Sequence, residues 1–142
     1  MKNSDSKNIE IDILNGNDDY KSFSSKNITG LYGTDNNLEF LLRDYNRDVK
    51  PDLYCINKKG ENNFTEVKIL NGVSNFKEFI LDIKSDLYSI DNFEFCAGVY
   101  KDYECIFGIK KWNSWNTYIC YLKFKYLKNI NQISILFINR GK

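Results

Sequence analysis

Two segments, Asp52-Leu53-Tyr54-Cys55-Ile56 and Phe64-Thr65-Glu66-Val67-Lys68-Ile69, flank the turn-rich stretch Lys58-Lys59-Gly60-Glu61-Asn62. Strand-forming residues on both sides of a glycine-containing turn predict a β-hairpin. Pro51 is the only proline of the chain and directly precedes the first strand, a position where proline is tolerated. This hairpin is the best-marked element of the sequence, and the rest of the fold is interpreted around it.

The hairpin also carries the one arrangement of residues that suggests chemistry. Side chains alternate across a strand, so Glu66 and Lys68 share a face. A turn centred on Gly60 would place Asp52 opposite Lys68 and make it a diagonal neighbour of Glu66. Paired carboxylates repel each other unless a cation lies between them, and hard oxygen ligands favour Mg²⁺ or Mn²⁺. The alternative is a surface hairpin with a solvated Asp52–Lys68 ion pair.

Composition limits which functions are available. The chain has 142 residues, a formal net charge of +1 and 42% hydrophobic residues, which fits a single domain over residues 1–142. It contains no histidine, which excludes Ser-His-Asp and Cys-His catalysis and histidine-based zinc sites. Four widely spaced cysteines and no membrane-length apolar run predict a cytoplasmic protein with reduced, buried thiols. We expect no membrane partner.

The flanking patterns predict helices around the hairpin. Leu38, Leu41, Leu42 and Tyr45 follow helical spacing, which predicts a helix over residues 34–45. A second amphipathic helix is predicted after Asn75, extending to about residue 88. Strands are predicted over 9–13, 93–100, 103–110, 117–126 and 133–138, a long polar loop follows the first of them, and no internal repeat is visible. The predicted class is therefore α/β (α+β), built on one mixed sheet.

Pro51-Asp52, Glu66-Val67-Lys68 and the amphipathic segment after them resemble the PD-(D/E)XK nuclease superfamily, which has the restriction-endonuclease-like fold. The resemblance spans roughly residues 34–110 and implies a central mixed β-sheet flanked by helices, here with extra C-terminal strands. It implies a Mg²⁺-dependent endonuclease in which Asp52, Glu66 and the Val67 carbonyl bind Mg²⁺ or Mn²⁺, with Lys68 beside the nucleophilic water. Glu39 matches the glutamate that many members carry on the first helix, and Glu10 is the alternative.

Charge distribution points to a nucleic-acid substrate. Residues 101–142 carry eight basic and two acidic side chains, whereas the preceding residues are acidic overall. Basic residues interleaved with aromatics are typical of nucleic-acid surfaces. The candidate phosphate-binding residues are Lys77, Lys110, Lys111, Lys123 and Lys125.

The predicted function is thus hydrolysis of phosphodiester bonds by a Mg²⁺-activated water, with DNA favoured as the substrate. Two alternatives stay open: a toxin-like nuclease that cleaves RNA or tRNA at the same site, and a non-catalytic, immunity-type module that binds nucleic acid or protein. A homodimer or a protein partner is compatible with each of them.

Overall fold

The chain folds into antiparallel β-sheets. The structure is a computed structural model that describes residues 7–33, 36–88, 93–100, 102–112, 116–124 and 133–139. The strands within these ranges are β1 (Asn8–Leu14), β2 (Phe23–Tyr32), β3 (Leu38–Arg43), β4 (Asp52–Asn57), β5 (Phe64–Leu70), β6 (Phe79–Tyr88), β7 (Phe93–Tyr100), β8 (Tyr103–Trp112), β9 (Asn116–Phe124) and β10 (Ile133–Asn139). Two single-turn 3-10 helices, Gly16–Asp18 and Glu61–Asn63, complete the described secondary structure.

The strands form three layers. The central sheet has the order β3-β4-β5-β6, a second sheet has the order β10-β9-β8-β7, and β1 and β2 form a two-stranded ribbon. Tyr54, Ile56, Val67 and Ile69 of the central sheet pack against Phe93, Phe95 and Ile106 of the second sheet. The opposite face of the central sheet packs Leu53, Cys55 and Leu70 against Leu31 of the ribbon, with Ile9 and Ile11 beside them. The second sheet and the ribbon therefore pack against opposite faces of the central sheet.

The two four-stranded sheets repeat one arrangement. Each is a meander in which consecutive strands are neighbours. The first strands, β3 and β7, lie next to each other, and so do the last strands, β6 and β10. The two stacked sheets thus have the same strand order, and their first and last strands lie at corresponding edges. The sequence showed no sign of this repeated topology.

The expectation of an α/β (α+β) fold with flanking helices is wrong. Residues 38–43 form β3 instead of a helix, and residues 79–88 form β6. Apolar residues on both faces of a strand covered on two sides can imitate helical spacing: Leu38 packs toward the ribbon, whereas Leu41 packs toward the second sheet. Asn75 and Phe76 both have positive φ and form a turn where a helix start was predicted.

The other strand predictions are confirmed with small changes of boundary. The hairpin forms as β4 and β5, and residues 93–100, 103–112, 116–124 and 133–139 are strands. The polar stretch after β1, predicted as a loop, contains β2, which pairs antiparallel with β1. No helix in the described ranges is long and apolar enough to cross a membrane.

Candidate functional site

The hairpin register separates Asp52 from the other two predicted site residues. Cys55 pairs with Lys68, and Asn57 pairs with Glu66, so those four residues share the face toward the ribbon. Asp52 lies on the opposite face, toward the second sheet. The predicted pairing of Asp52 with Lys68 is therefore wrong, because the partner of Lys68 is Cys55, three residues further along β4. A register difference of an odd number of residues places the Asp52 carboxylate on the other face of the sheet.

Asp52 is committed to backbone hydrogen bonds. Its residue is fully buried at 0% exposure. One carboxylate oxygen accepts a hydrogen bond from the Tyr45 backbone N–H at 2.9 Å, and the other accepts one from the Gly72 N–H at 2.8 Å. This carboxylate joins the β3–β4 loop to the end of β5, a structural role that accounts for both of its oxygens.

Glu66 and Lys68 line a cleft between the ribbon and the central sheet. The cleft has a volume of about 360 Å³. Its lining residues are Gly30, Leu31, Tyr32, Leu38, Cys55, Asn57, Glu66, Lys68, Phe79 and Asp82. The side chain of Phe79 is exposed, and its ring provides an aromatic wall beside Lys68. Charged groups of both signs and aromatic surface therefore meet in one concave site.

Each charged group of this cleft has a polar partner. Lys68 Nζ lies 3.3 Å from an Asp82 carboxylate oxygen and 5.9 Å from the centroid of the Phe79 ring. A Glu66 carboxylate oxygen accepts a hydrogen bond from the Glu61 backbone N–H at 2.8 Å. Gly60 leaves room for this contact, since a Cβ there would overlap the Glu66 carboxylate.

Asp82 and Phe79 are the cleft residues that the sequence interpretation missed. The alternating charges of Asp82 and Lys84 were assigned to a helix, where they would be solvated. In β6, Asp82 pairs with Lys68 and Lys84 pairs with Glu66, which forms a ladder of opposite charges across the two strands. The alternation of charged and apolar residues in Asp82-Ile83-Lys84 is the sequence signal that could have predicted this strand.

The remaining predicted metal ligands lie apart from this cleft. Glu39 faces the second sheet, where its carboxylate accepts a hydrogen bond from the Phe95 backbone N–H at 2.9 Å and pairs with Lys58. Val67 is fully buried in the middle of the central sheet, paired with Ile56 and Ile83. The alternative ligand Glu10 is exposed on β1 of the ribbon. The structure therefore does not gather the predicted metal ligands at one site.

The predicted nucleic-acid-binding lysines are spread over the chain. Lys77 is exposed in the β5–β6 connection, and its carbonyl oxygen contacts Gly30 of the ribbon. Lys110 and Lys111 belong to β8 and Lys123 to β9, as residues whose backbone alone is described. Lys125 lies outside the described residues. A continuous basic track stays a prediction.

An ion pair joins β3 to the second sheet. Arg43 Nε lies 2.8 Å from a Glu104 carboxylate oxygen. The hydrogen bond to Glu104 raises the pKa of Arg43, so the guanidinium is held in its charged form. Burial, and then the nearby Glu104 carboxylate, raise the pKa of the Tyr54 hydroxyl, which is buried and has no hydrogen-bond partner in the structure. The Arg43–Glu104 pair therefore links the central sheet to the second sheet.

The cysteines differ in exposure. Cys55 and Cys105 are buried free thiols, whereas Cys96 is an exposed free thiol, contrary to the expectation that all are buried. The side chain of Cys120 lies outside the described set. Burial raises the pKa of the Cys55 thiol to about 12, although the nearby Lys68 lowers it. Cys55 therefore forms part of the apolar floor of the cleft and is not an activated nucleophile.

The loop between β3 and β4 contains a group of side-chain oxygens outside the cleft. Asp44, Asn46 and Asp48 occupy alternate positions, the spacing at which an EF-hand loop presents its first three ligands. Here the Asp44 carboxylate accepts hydrogen bonds from the backbone N–H groups of Asp48 and Val49, and Asp48 accepts one from Lys50. These side-chain oxygens therefore form hydrogen bonds within the loop.

Comparisons with known proteins identify no relative of this chain: no protein-family model, curated protein or solved structure matches it. Across the described ranges, no three side chains of histidine, cysteine, aspartate or glutamate converge as a metal-binding group. Among the described residues, the cleft between β2 and the central sheet combines concave shape, charged groups and aromatic surface, and it is taken as the candidate site.

Proposed function

We propose that the protein is a non-catalytic binding module that recognises a segment of another protein in the cleft between β2 and the central sheet. The observation that carries this proposal is the composition of the cleft. The exposed Phe79 ring lies beside Lys68, and Glu66, Lys68 and Asp82 place charges of both signs in the same cleft. Aromatic surface beside polar groups is typical of protein-recognition sites.

The balance of charge favours a protein segment over nucleic acid. Two carboxylates and one ammonium line the cleft, and Lys68 is already paired with Asp82. A phosphate backbone would meet net negative charge there, which disfavours binding. A peptide can present a basic side chain to Asp82 and Glu66 while an apolar side chain lies against Phe79.

Selection from a phage-displayed random peptide library tests this proposal. We expect enriched peptides to bind the wild-type protein and to lose binding to Phe79→Ser and to Asp82→Lys. Val49→Ser is the matched control, because Val49 is an exposed apolar residue that does not line the cleft. Failure to enrich any peptide whose binding depends on the cleft would overturn the proposal.

A magnesium-dependent nuclease is the second candidate. One observation favours it: Glu66, Asp82 and Lys68 line the same cleft, so that Asp82 could supply the second carboxylate in place of Asp52. Incubation of the protein with labelled DNA and RNA, in Mg²⁺ or in chelator, distinguishes the two candidates. The binding module predicts no cleavage, whereas Mg²⁺-dependent cleavage that Glu66→Gln abolishes and Asp52→Asn leaves intact would establish the nuclease.

A further inference from the structure

The layer formed by the β1–β2 ribbon covers only part of the central sheet. On one face, the central sheet is stacked against four strands, with β7 beside β3 and β10 beside β6. On the other face, the described residues supply only the two strands of the ribbon. A layer as wide as the second sheet would hold two more strands than this one does.

Contacts of β2 show on which side of the ribbon the space lies. The Gly30 backbone N–H donates a hydrogen bond to the Phe76 carbonyl at 2.9 Å, in the connection that leads into β6. A Cβ on Gly30 would overlap the Lys77 carbonyl, so the two backbones approach closely. The outer edge of β2 therefore faces the β6 side of the sheet. Strand β1 pairs with the other edge of β2, and the outer edge of β1 pairs with no strand of the described ranges.

Exposed apolar side chains lie on the part of β3 that the ribbon leaves uncovered. Phe40 pairs with Cys55 and Leu42 pairs with Leu53, so both point to the ribbon face of the central sheet. Phe40 is 42% exposed and Leu42 is 61% exposed, whereas Leu38 on the same face packs against the ribbon. A strand edge that is unpaired within the described ranges, together with exposed apolar residues on the ribbon face of the central sheet, has the features of a site for strand addition.

The charge of β1 selects the kind of segment that fits. Ile9 and Ile11 point toward the central sheet, and the exposed residues Glu10 and Asp12 alternate with them. Antiparallel pairing of β1 with β1 of a second copy, keeping the isoleucines on one face, would place these carboxylates opposite or next to one another, which is destabilising. A strand with basic residues at the matching positions is instead complementary.

We propose that the free edge of β1 accepts an extended segment of a partner protein, in which apolar and basic residues alternate, as an added antiparallel strand. The apolar side chains of the segment cover Phe40 and Leu42, and its lysine or arginine side chains pair with Glu10 and Asp12. Backbone hydrogen bonds along β1 provide affinity, and the alternation provides specificity. This interaction goes beyond the cleft and does not depend on it.

A short synthetic peptide in which valine and lysine alternate is the probe for this site. We expect it to bind the full chain and to protect the backbone amides of β1 from hydrogen exchange while leaving those of β9 unchanged. The charge-reversed variant carrying both Glu10→Lys and Asp12→Lys should bind about tenfold more weakly, because attractive cross-strand pairs become repulsive. Asp19→Lys, which raises the net charge at an exposed carboxylate near the tip of the ribbon, is the control for net charge.

Three results would overturn the proposal. The first is no binding of the valine-lysine peptide, and the second is binding without protection of the β1 amides. The third is equal binding of a valine-glutamate peptide, which would show that charge does not select the segment. A dimer of the protein alone with protected β1 amides would assign the edge to a second copy instead. Leu42→Ser, at an exposed position where folding is little affected, should also weaken binding and provides an independent variant.

Discussion

The carboxyl group of Asp52 and the ammonium group of Lys68 lie on opposite faces of the β4–β5 hairpin. Cys55, not Asp52, is the cross-strand partner of Lys68. Asp52 is buried with two backbone N–H donors, whereas Lys68 pairs with Asp82 in the cleft. The two residues therefore have separate roles, one in stability and one at the candidate binding surface.

Replacement of Asp52 by alanine should strongly destabilise the protein. The change leaves the N–H groups of Tyr45 and Gly72 without an acceptor, one of them buried, and each lost buried partner costs about 1–3 kcal/mol. We expect the free energy of unfolding in urea to fall by about 3 kcal/mol, and the isosteric Asp52→Asn to lose less. Asp19→Ala, at an exposed carboxylate, is the control. A change of under about 0.5 kcal/mol for Asp52→Ala would contradict the structural role.

The Arg43–Glu104 pair should respond asymmetrically to mutation. Glu104 is 7% exposed, so Arg43→Met leaves a buried carboxylate without its partner. Glu104→Gln leaves a partly exposed guanidinium that water can solvate. We expect Arg43→Met to cost about 2–3 kcal/mol and Glu104→Gln about 1 kcal/mol, measured by urea denaturation. Equal losses would show that burial does not control the energetics of this pair.

Val49→Gly should stabilise the protein. Val49 has a φ of 73° and is 91% exposed, so the substitution removes backbone strain without loss of packing. The left-handed conformation costs a non-glycine residue about 1–2 kcal/mol, against which glycine loses about 0.5–1 kcal/mol in chain entropy. We therefore expect a gain of about 0.5–1 kcal/mol in thermal or urea unfolding.

Two controls identify the cause of that gain. Val49→Ala keeps a Cβ and should gain little, since the strain persists. Unfolding measured in calcium chloride and in chelator should show the same gain for Val49→Gly. A gain that is present only in calcium would show that the Asp44, Asn46 and Asp48 oxygens bind the ion, and that strain alone does not explain the effect.

Alkaline pH should weaken the folded state through Cys55. Burial raises the pKa of this thiol to about 12, above the value of about 8.5 for an exposed thiol. The folded state thus holds the proton more tightly, so this contribution to stability is complete below about pH 8.5 and is lost as the pH rises toward 12. The free energy of unfolding measured from pH 7 to 11 should fall less in Cys55→Val than in the wild type.

Cys96→Val is the matched control for this pH dependence, because Cys96 is exposed. The raised pKa of Tyr54 acts in the same direction at higher pH, so Tyr54→Phe should also flatten the curve, beginning nearer pH 10. A Cys55→Val curve parallel to that of the wild type would contradict the assignment.

Local sequence signals located most strands but not their arrangement. The hairpin around Gly60 was predictable because turn residues separate two strand-forming runs. The segment from Leu38 was misassigned because its apolar residues pack toward both neighbouring layers, and the segment from Phe79 because its apolar residues also fit helical spacing. The candidate site shared this error, since the pairing of Asp82 with Lys68 exists only if residues 79–88 form a strand.

By itself, the sequence determined that the protein has an apolar core, that it lacks imidazole chemistry, and that Glu66 and Lys68 share one face of a strand. Local turn chemistry and the two-residue period of a strand suffice for those conclusions. Only the tertiary structure decided the register of β4 on β5, the layers that pack on the two faces of the central sheet, and the edge of β1 that pairs with no strand of the described ranges. These features depend on contacts between segments distant in sequence, and a register shift of an odd number of residues reverses the face of every side chain.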